Sequence, residues 1–230
     1  MKTKFWAMLT VVVMLMKAGD SAAKDPIQPS ASGESDPVLA KVLDGVEDRY
    51  LITGFSARFV QISTIKAMDI SDTATGKLFV KPPGKMRWVY ESPDPQIIVS
   101  DGENLWIYRP DDNQVMTGKS PSFFGDGRGA GFLSDIGMIR KKFKISLEKA
   151  EDPDVYMLKL IPDKNSLEIA SIFLYVDKPH FNLVRITTYN AYDDETRVDF
   201  FDIEFDQSPN EELFKFVIPE GVDIFGIDEQ

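Results

Sequence analysis

From Gly54 onward the hydrophobic period of this chain is two, and it returns at short intervals. Phe55, Ala57 and Phe59 alternate with Ser56 and Arg58. Further candidate strands lie near 75–81, 86–91, 96–100, 104–109, 143–148, 154–161, 168–176, 181–190, 196–206 and 212–218, after a first near 55–62. Turn-forming stretches separate them: "PPG", "SPDP", "SDGEN", "RPDDN", "EDPD", "PDKN" and "DKPH". A parallel pair needs a crossover of a dozen or more residues, and these short gaps leave no room for one, so the sheet is expected to be antiparallel. The long break is 117–142, "TGKSPSFFGDGRGAGFLSDIGMIRKK". It is Gly-rich and then helical in pattern, with Phe132, Ile136 and Ile139 on one side. No internal repeat is present.

Many of these strands are apolar on both faces. In "IASIFLYV", Ile169, Phe173 and Tyr175 share one face, and Ile172, Leu174 and Val176 the other. In "LWIY" the pairs are Leu105/Ile107 and Trp106/Tyr108. Met86, Trp88 and Tyr90 follow a rigid "KPPGK" turn on alternate positions. A sheet with one solvated face alternates cleanly, so something covers the second face here. Two segments are candidates: the 117–142 insertion and a helix at 37–50. In the latter, Asp36 caps, Pro37 suits the first turn, and Val38, Leu39, Val42, Leu43, Val46 and Tyr50 form one stripe. A bent sheet with a small helical cover over its inner face fits best.

A net charge of −11 and a pI near 4.6 argue against nucleic acid, which needs a basic face, and against electrostatic adhesion to anionic lipid. At 43% hydrophobic residues the chain can build a core. Its start, "MKTKFWAMLTVVVMLMKAGDSAAKDP", has basic Lys2 and Lys4, an apolar run from Phe5 to Met16, and small residues at 21–23. This reads as a signal peptide cleaved after Ala23, the apolar run being short of the ~20 residues a span needs. Residues 24–36 are polar and expected to be disordered, and 37–230 to be a single domain. Without cysteine there is neither a disulfide nor a lipid-anchoring cysteine. An exported protein of the periplasm is expected.

Chemistry finds little support. His180 is the single histidine and sits in the turn "DKPHFN", which disfavours His-based catalysis and His/Cys zinc sites. "TGKS" lacks the first glycine of a phosphate-binding loop, its position being Asn113, and "GDGRGAG" does not fit G-x-G-x-x-G. The acids Asp193, Asp194 and Glu195, and Asp202, Glu204 and Asp206, read as a turn and a solvated strand face. No enzyme, cofactor or metal is expected. The surplus apolar surface fits either an unusually large core or a carrier for a greasy ligand.

The order of motifs separates these readings. "FSARFVQ" at 55–61, then "GKLFVKPPGKMRWVYESPDPQIIVSDGENLWIYRPDDNQV" at 76–115, and the ending "FKFVIPEGVDIF" resemble the outer-membrane lipoprotein carrier family, LolA. That family shows "F-x-A-x-F-x-Q", a "G-x-L-x-V-K-R-P-x-x-x-x-W" hairpin, "SDG-x-x-L-W-x-Y" and "F-x-F-x-x-P-x-G-V". The resemblance implies a mainly β fold with a few helices, a half-open antiparallel barrel whose concave hydrophobic face carries a helical lid. It implies a periplasmic chaperone, monomeric, that takes acylated lipoproteins from an ATP-driven inner-membrane complex and passes them to an outer-membrane receptor. Another amphiphile, such as a glycolipid, is the alternative cargo on the same fold. A lipid-binding regulator of a membrane protease and an esterase are further readings, disfavoured by chain length and by the lone histidine respectively.

On this resemblance Phe59, Phe79, Trp88, Trp106, Phe173 and Phe201 are expected among the apolar lining. Met86 would be an exposed contact for the extractor at the rim of the hairpin. The family's Arg before the proline, which ties the lid closed, is Pro82 here, with Arg87 as a conceivable substitute.

Overall fold

The computed structural model describes residues 36–51, 53–120, 128–133, 135–164, 167–206 and 209–227. The proposed signal peptide at 1–23, and all of the polar segment at 24–36 except Asp36, lie outside them.

The chain opens with helix α1, Pro37–Tyr50. Asp36 accepts from Val38 N–H at 2.8 Å through Oδ1, and Pro37 occupies the first turn, where its missing donor costs nothing. Twelve strands follow: β1 Gly54–Ile65, β2 Ile70–Lys81, β3 Lys85–Ser92, β4 Gln96–Asp101, β5 Asn104–Arg109, β6 Gln114–Lys119, β7 Phe143–Glu148, β8 Val155–Pro162, β9 Ser171–Asp177, β10 Leu183–Tyr189, β11 Glu195–Asp206 and β12 Asp223–Gly226. A 3-10 turn at Arg128–Leu133 and the short helix α2, Met138–Lys142, stand between β6 and β7.

All twelve strands form one curved, open sheet in the order β12-β6-β5-β4-β3-β2-β1-β11-β10-β9-β8-β7. The meander runs outward from β1 in one direction through β6, and in the other from β11 back to β7. Every pairing is antiparallel except β12 on β6, which is parallel. That pair corrects the expectation of a wholly antiparallel sheet: the tail crosses the sheet after β11 and so arrives at the far edge in the same direction as β6.

The tail also corrects the strand expected near 212–218. Residues Glu211–Phe214 form a 3-10 turn, with Asn210 Oδ1 accepting from Glu212 N–H at 3.0 Å, and the chain then runs extended without a ladder. The "FKF" alternation is real but serves packing: Phe214 is buried on the sheet, and Phe216 lies 6.2 Å from Trp106 and 5.8 Å from Tyr108 by ring centroids. Thus the outer face of β3–β6 is covered by the C-terminal segment. Neither of the two covers expected from the sequence lies there.

Those two cover the inner face. α1 buries Val42, Leu43, Val46 and Tyr50. The insertion buries Phe132, Ile136 and Ile139, the three residues its pattern placed on one side. Together with the inward residues of the strands they form one hydrophobic cluster.

Candidate functional site

Strand register sorts the concave face into rows. One row runs Leu105, Ser100, Met86, Val80, Phe55, Phe205. Beside it run Met116, Ile107, Ile98, Trp88, Leu78, Ala57. The next holds Gln114, Arg109, Gln96, Tyr90, Gly76, Phe59, Phe200. A fourth crosses the other half as Gln61, Val198, Ile186, Leu174, Leu158, Leu147.

An aromatic group sits where the halves meet. The Phe59 ring meets Trp88 at 4.9 Å and Tyr90 at 5.0 Å, both edge-on, the arrangement that aligns ring edges with ring faces. Gly76 makes this possible, since a Cβ there would lie 2.8 Å from Phe59 Cζ and 2.1 Å from the Val89 carbonyl oxygen. Burial pushes the Tyr90 phenol well above its usual range.

The cover is held by few polar ties. Arg140 of α2 donates from Nε to Glu47 Oε1 at 2.6 Å and from Nη2 to Asp44 Oδ1 at 2.5 Å, bridging α2 to successive turns of α1. At the end of α1, Tyr50 Oη accepts from Leu183 N–H at 2.8 Å. Leu183 needs that partner because the β10–β9 ladder slips between Leu183 and Arg185. The Arg49 guanidinium lies 4.0 Å over the Phe205 ring and donates to Asn182 Oδ1 at 2.8 Å. These polar ties escaped sequence reasoning. Asp44 and Glu47 show only as an acidic pair three apart, and nothing local ties them to Arg140, 96 and 93 positions away.

Of the six side chains expected in the lining, the structure brings Phe59 and Trp88 together on the concave face. The other four lie on the convex face. Phe79 stands opposite Arg87, and Trp106 packs on Phe216. Phe173 meets Tyr189 edge-on at 5.9 Å, with the Lys159 ammonium 5.6 Å from its ring. Phe201 is 51% exposed beside a bulge, where two residues of β11, Asp202 and Ile203, face the single Ala57 of β1 and Asp202 takes φ +50°. A period of two cannot tell which parity is concave, and the bulge reverses it within β11.

The hairpin residues also differ from expectation. Met86 is fully buried between Val80 and Ser100, so it is no exposed contact. Arg87 faces away from the cover and donates from Nη1 to the Leu213 carbonyl at 3.2 Å. Pro82 stands in the β2–β3 turn, flanked by Lys81 and Lys85, which both bind Glu211, the latter at 2.7 Å. The hairpin therefore anchors the C-terminal segment, and the link between the cover helices runs through Arg140.

An open antiparallel sheet curled round a helical cover on its apolar side defines a lidded half-barrel. The sequence profile of the outer membrane lipoprotein carrier protein LolA matches residues 51–217, and the chain belongs to this family. The outer-membrane lipoprotein carrier protein of Nitrosospira multiformis is 30% identical over 176 residues, covering 73% of this chain and 80% of the relative. That of Hahella chejuensis is 26% identical over 212 residues, 91% of this chain and 97% of the relative. A crystal structure of an uncharacterized conserved protein from Thermus thermophilus shares the fold, with a TM-score of 0.54 at 14% identity over 82% of this chain and 99% of that one.

Proposed function

We propose that this chain is a periplasmic carrier of acylated lipoproteins, exported by cleavage after Ala23 and acting as a monomeric single domain over 37–230. It would receive its cargo from an ATP-driven complex of the inner membrane and deliver it to an outer-membrane receptor. It performs no chemistry of its own. The observation that supports this best is the concave face itself, where the apolar Trp88 row and the aromatic group on Phe59 lie under α1 and the residues Phe132, Ile136 and Ile139. An acyl chain gains roughly 0.8 kcal/mol per buried CH2. It would occupy the surface that Val42, Val46, Phe132 and Ile139 now fill, and would replace their burial as it entered. Among the described residues no helix is long and apolar enough to cross a membrane.

Native mass spectrometry of protein isolated gently from periplasm tests this reading. A one-to-one complex with an acylated lipoprotein is expected. A bound free lipid or glycolipid would make the cargo a different amphiphile, and consistently empty protein that also fails to bind acylated peptides in vitro would refute the carrier role.

A further inference from the structure

The concave face is not apolar to its edge. The row Gln114, Arg109, Gln96, Tyr90 borders the row of Ile107, Ile98 and Trp88, and Gln61 continues the polar line across β1. Gln61, Tyr90 and Gln96 are each less than a tenth exposed. Packing alone does not call for this, since each buried polar group left unmatched costs about 1–3 kcal/mol and an apolar residue would avoid that risk.

The internal hydrogen bonds determine what this border offers. Tyr90 Oη donates to Gln61 Oε1 at 3.0 Å, and Gln61 Nε2 donates to Ser63 Oγ at 3.2 Å. Both ends of the Gln61 amide are thereby engaged. Arg109 Nε donates to Gln96 Oε1 at 3.0 Å. That bond takes the carbonyl of Gln96 and leaves its amide N–H groups as donors. It also takes one N–H of Arg109 and fixes the guanidinium plane, while Nη1 and Nη2 have no hydrogen-bond partner among the described residues. Arg109 is the only charged side chain in the four concave rows. Beside the aromatic group on Phe59 and Trp88 the unused capacity is thus mainly donor, on Arg109 and Gln96, while the Gln114 amide at the far end of the row offers both a donor and an acceptor.

We infer that Arg109 and Gln96 form a subsite for the carbonyl oxygens at which acyl chains join the polar part of the cargo. Resting on the carrier reading above, this assigns the two ends of the ligand to two parts of one face: hydrocarbon over the Trp88 row, acyl-linkage oxygens at the Arg109 border. Guanidinium and amide N–H groups suit such acceptors, and bonds to a charged donor are the stronger kind. A phosphate oxygen would meet the same donors, so the ligands of the test must separate the two sources.

The test uses two synthetic lipopeptides, one with ester-linked acyl chains and one with ether-linked chains of equal length, together with an environment-sensitive apolar dye. The wild-type protein should bind the ester form about tenfold more tightly than the ether form, as expected for a desolvated bond to a charged donor. Arg109→Ala and Gln96→Leu should each reduce that ratio toward one while leaving dye binding intact. Equal wild-type affinity for ester and ether overturns the subsite and leaves the carrier reading standing, whatever the variants do. No wild-type binding of either lipopeptide overturns both. A phospholipid that competes strongly with the ester form, alongside equal ester and ether affinities, assigns the donors to phosphate and overturns the carbonyl assignment.

Discussion

Removing the Arg140 guanidinium should loosen the cover without unfolding the sheet. Arg140 reaches Glu47 and Asp44 at 2.6 and 2.5 Å, but its side chain is 38% exposed, and those of Glu47 and Asp44 are 28% and 68% exposed. Solvent screening at such exposure limits each pair to about 0.2–1 kcal/mol, so the two together contribute about 1 kcal/mol. The apolar side of α1 outweighs them. Val42, Leu43, Val46 and Tyr50 are buried, and at roughly 1.5–3 kcal/mol each as an upper figure they hold α1 down far more strongly than the ion pairs do. Arg140→Met keeps the aliphatic stem and deletes the charge. It should therefore leave the cover mostly closed but raise its open fraction about fivefold, the factor that ~1 kcal/mol gives. Hydrogen exchange at the amides of 40–50 would read this directly, accelerating about fivefold while β8–β10 stay unchanged. In 1 M salt, where screening acts over about 3 Å, wild-type exchange should approach that of the variant. Unchanged exchange in α1, or equal acceleration throughout the sheet, would refute the idea that these pairs act on the cover.

Tyr50→Phe leaves the Leu183 N–H without its 2.8 Å acceptor in a buried setting and should destabilise the fold by about 1–3 kcal/mol, seen as a lower urea midpoint; an unchanged midpoint would contradict this. Gly76→Val would place a Cβ against the Val89 carbonyl and the Phe59 ring, so it should displace the aromatic group, cost about 1–3 kcal/mol or more, and alter the near-ultraviolet signal of Trp88. Lys81 and Lys85, hydrogen-bonded to Glu211, hold its carboxyl at about 2 against an ordinary 4.5. Because the folded value is the depressed one, this tether acts fully above pH 4.5 and fades as pH falls toward 2, and exchange at 212–216 should rise over that window; Glu211→Gln should remove the dependence.

The fold was legible where its cause is local. Period two with turn residues between marks ten of the twelve strands, because alternation and turn chemistry are both written in neighbouring residues. β6 was missed because "QVMTGK" carries Thr, Gly and Lys in place of a clean alternation, and β12 because four residues hold too little pattern. The site was legible in kind and not in parity. Phe59, Trp88 and Tyr90 share a face by spacing, but whether that face is concave depends on what covers it. Phe201 illustrates the limit: it follows Phe200 into the bulge, and from there Phe205, with no regular spacing to Phe200, returns to the core beside Phe55. Partnerships such as Arg140 with Glu47, or Arg87 with Leu213, depend on chain crossings that no window of sequence contains.

The sheet has two covers, and they are attached differently. The C-terminal segment joins the sheet through backbone, with β12 paired to β6 over Asp223–Gly226, and through Phe214, Arg87 and Glu211 on the way. It cannot leave without breaking a ladder. Neither α1 nor α2 belongs to a ladder; apolar contacts, the Arg140 pairs and the Tyr50–Leu183 bond hold them. Elements lacking shared backbone bonds are the ones that open at lower free energy than the whole fold. The concave cover should therefore open first. In urea below the global transition, amides of 40–50 and 138–142 should exchange while 223–226 and the β1–β11 ladder stay protected. If 223–226 lost protection before α1, the tail would be the movable part, and the concave aromatics would revert to ordinary core.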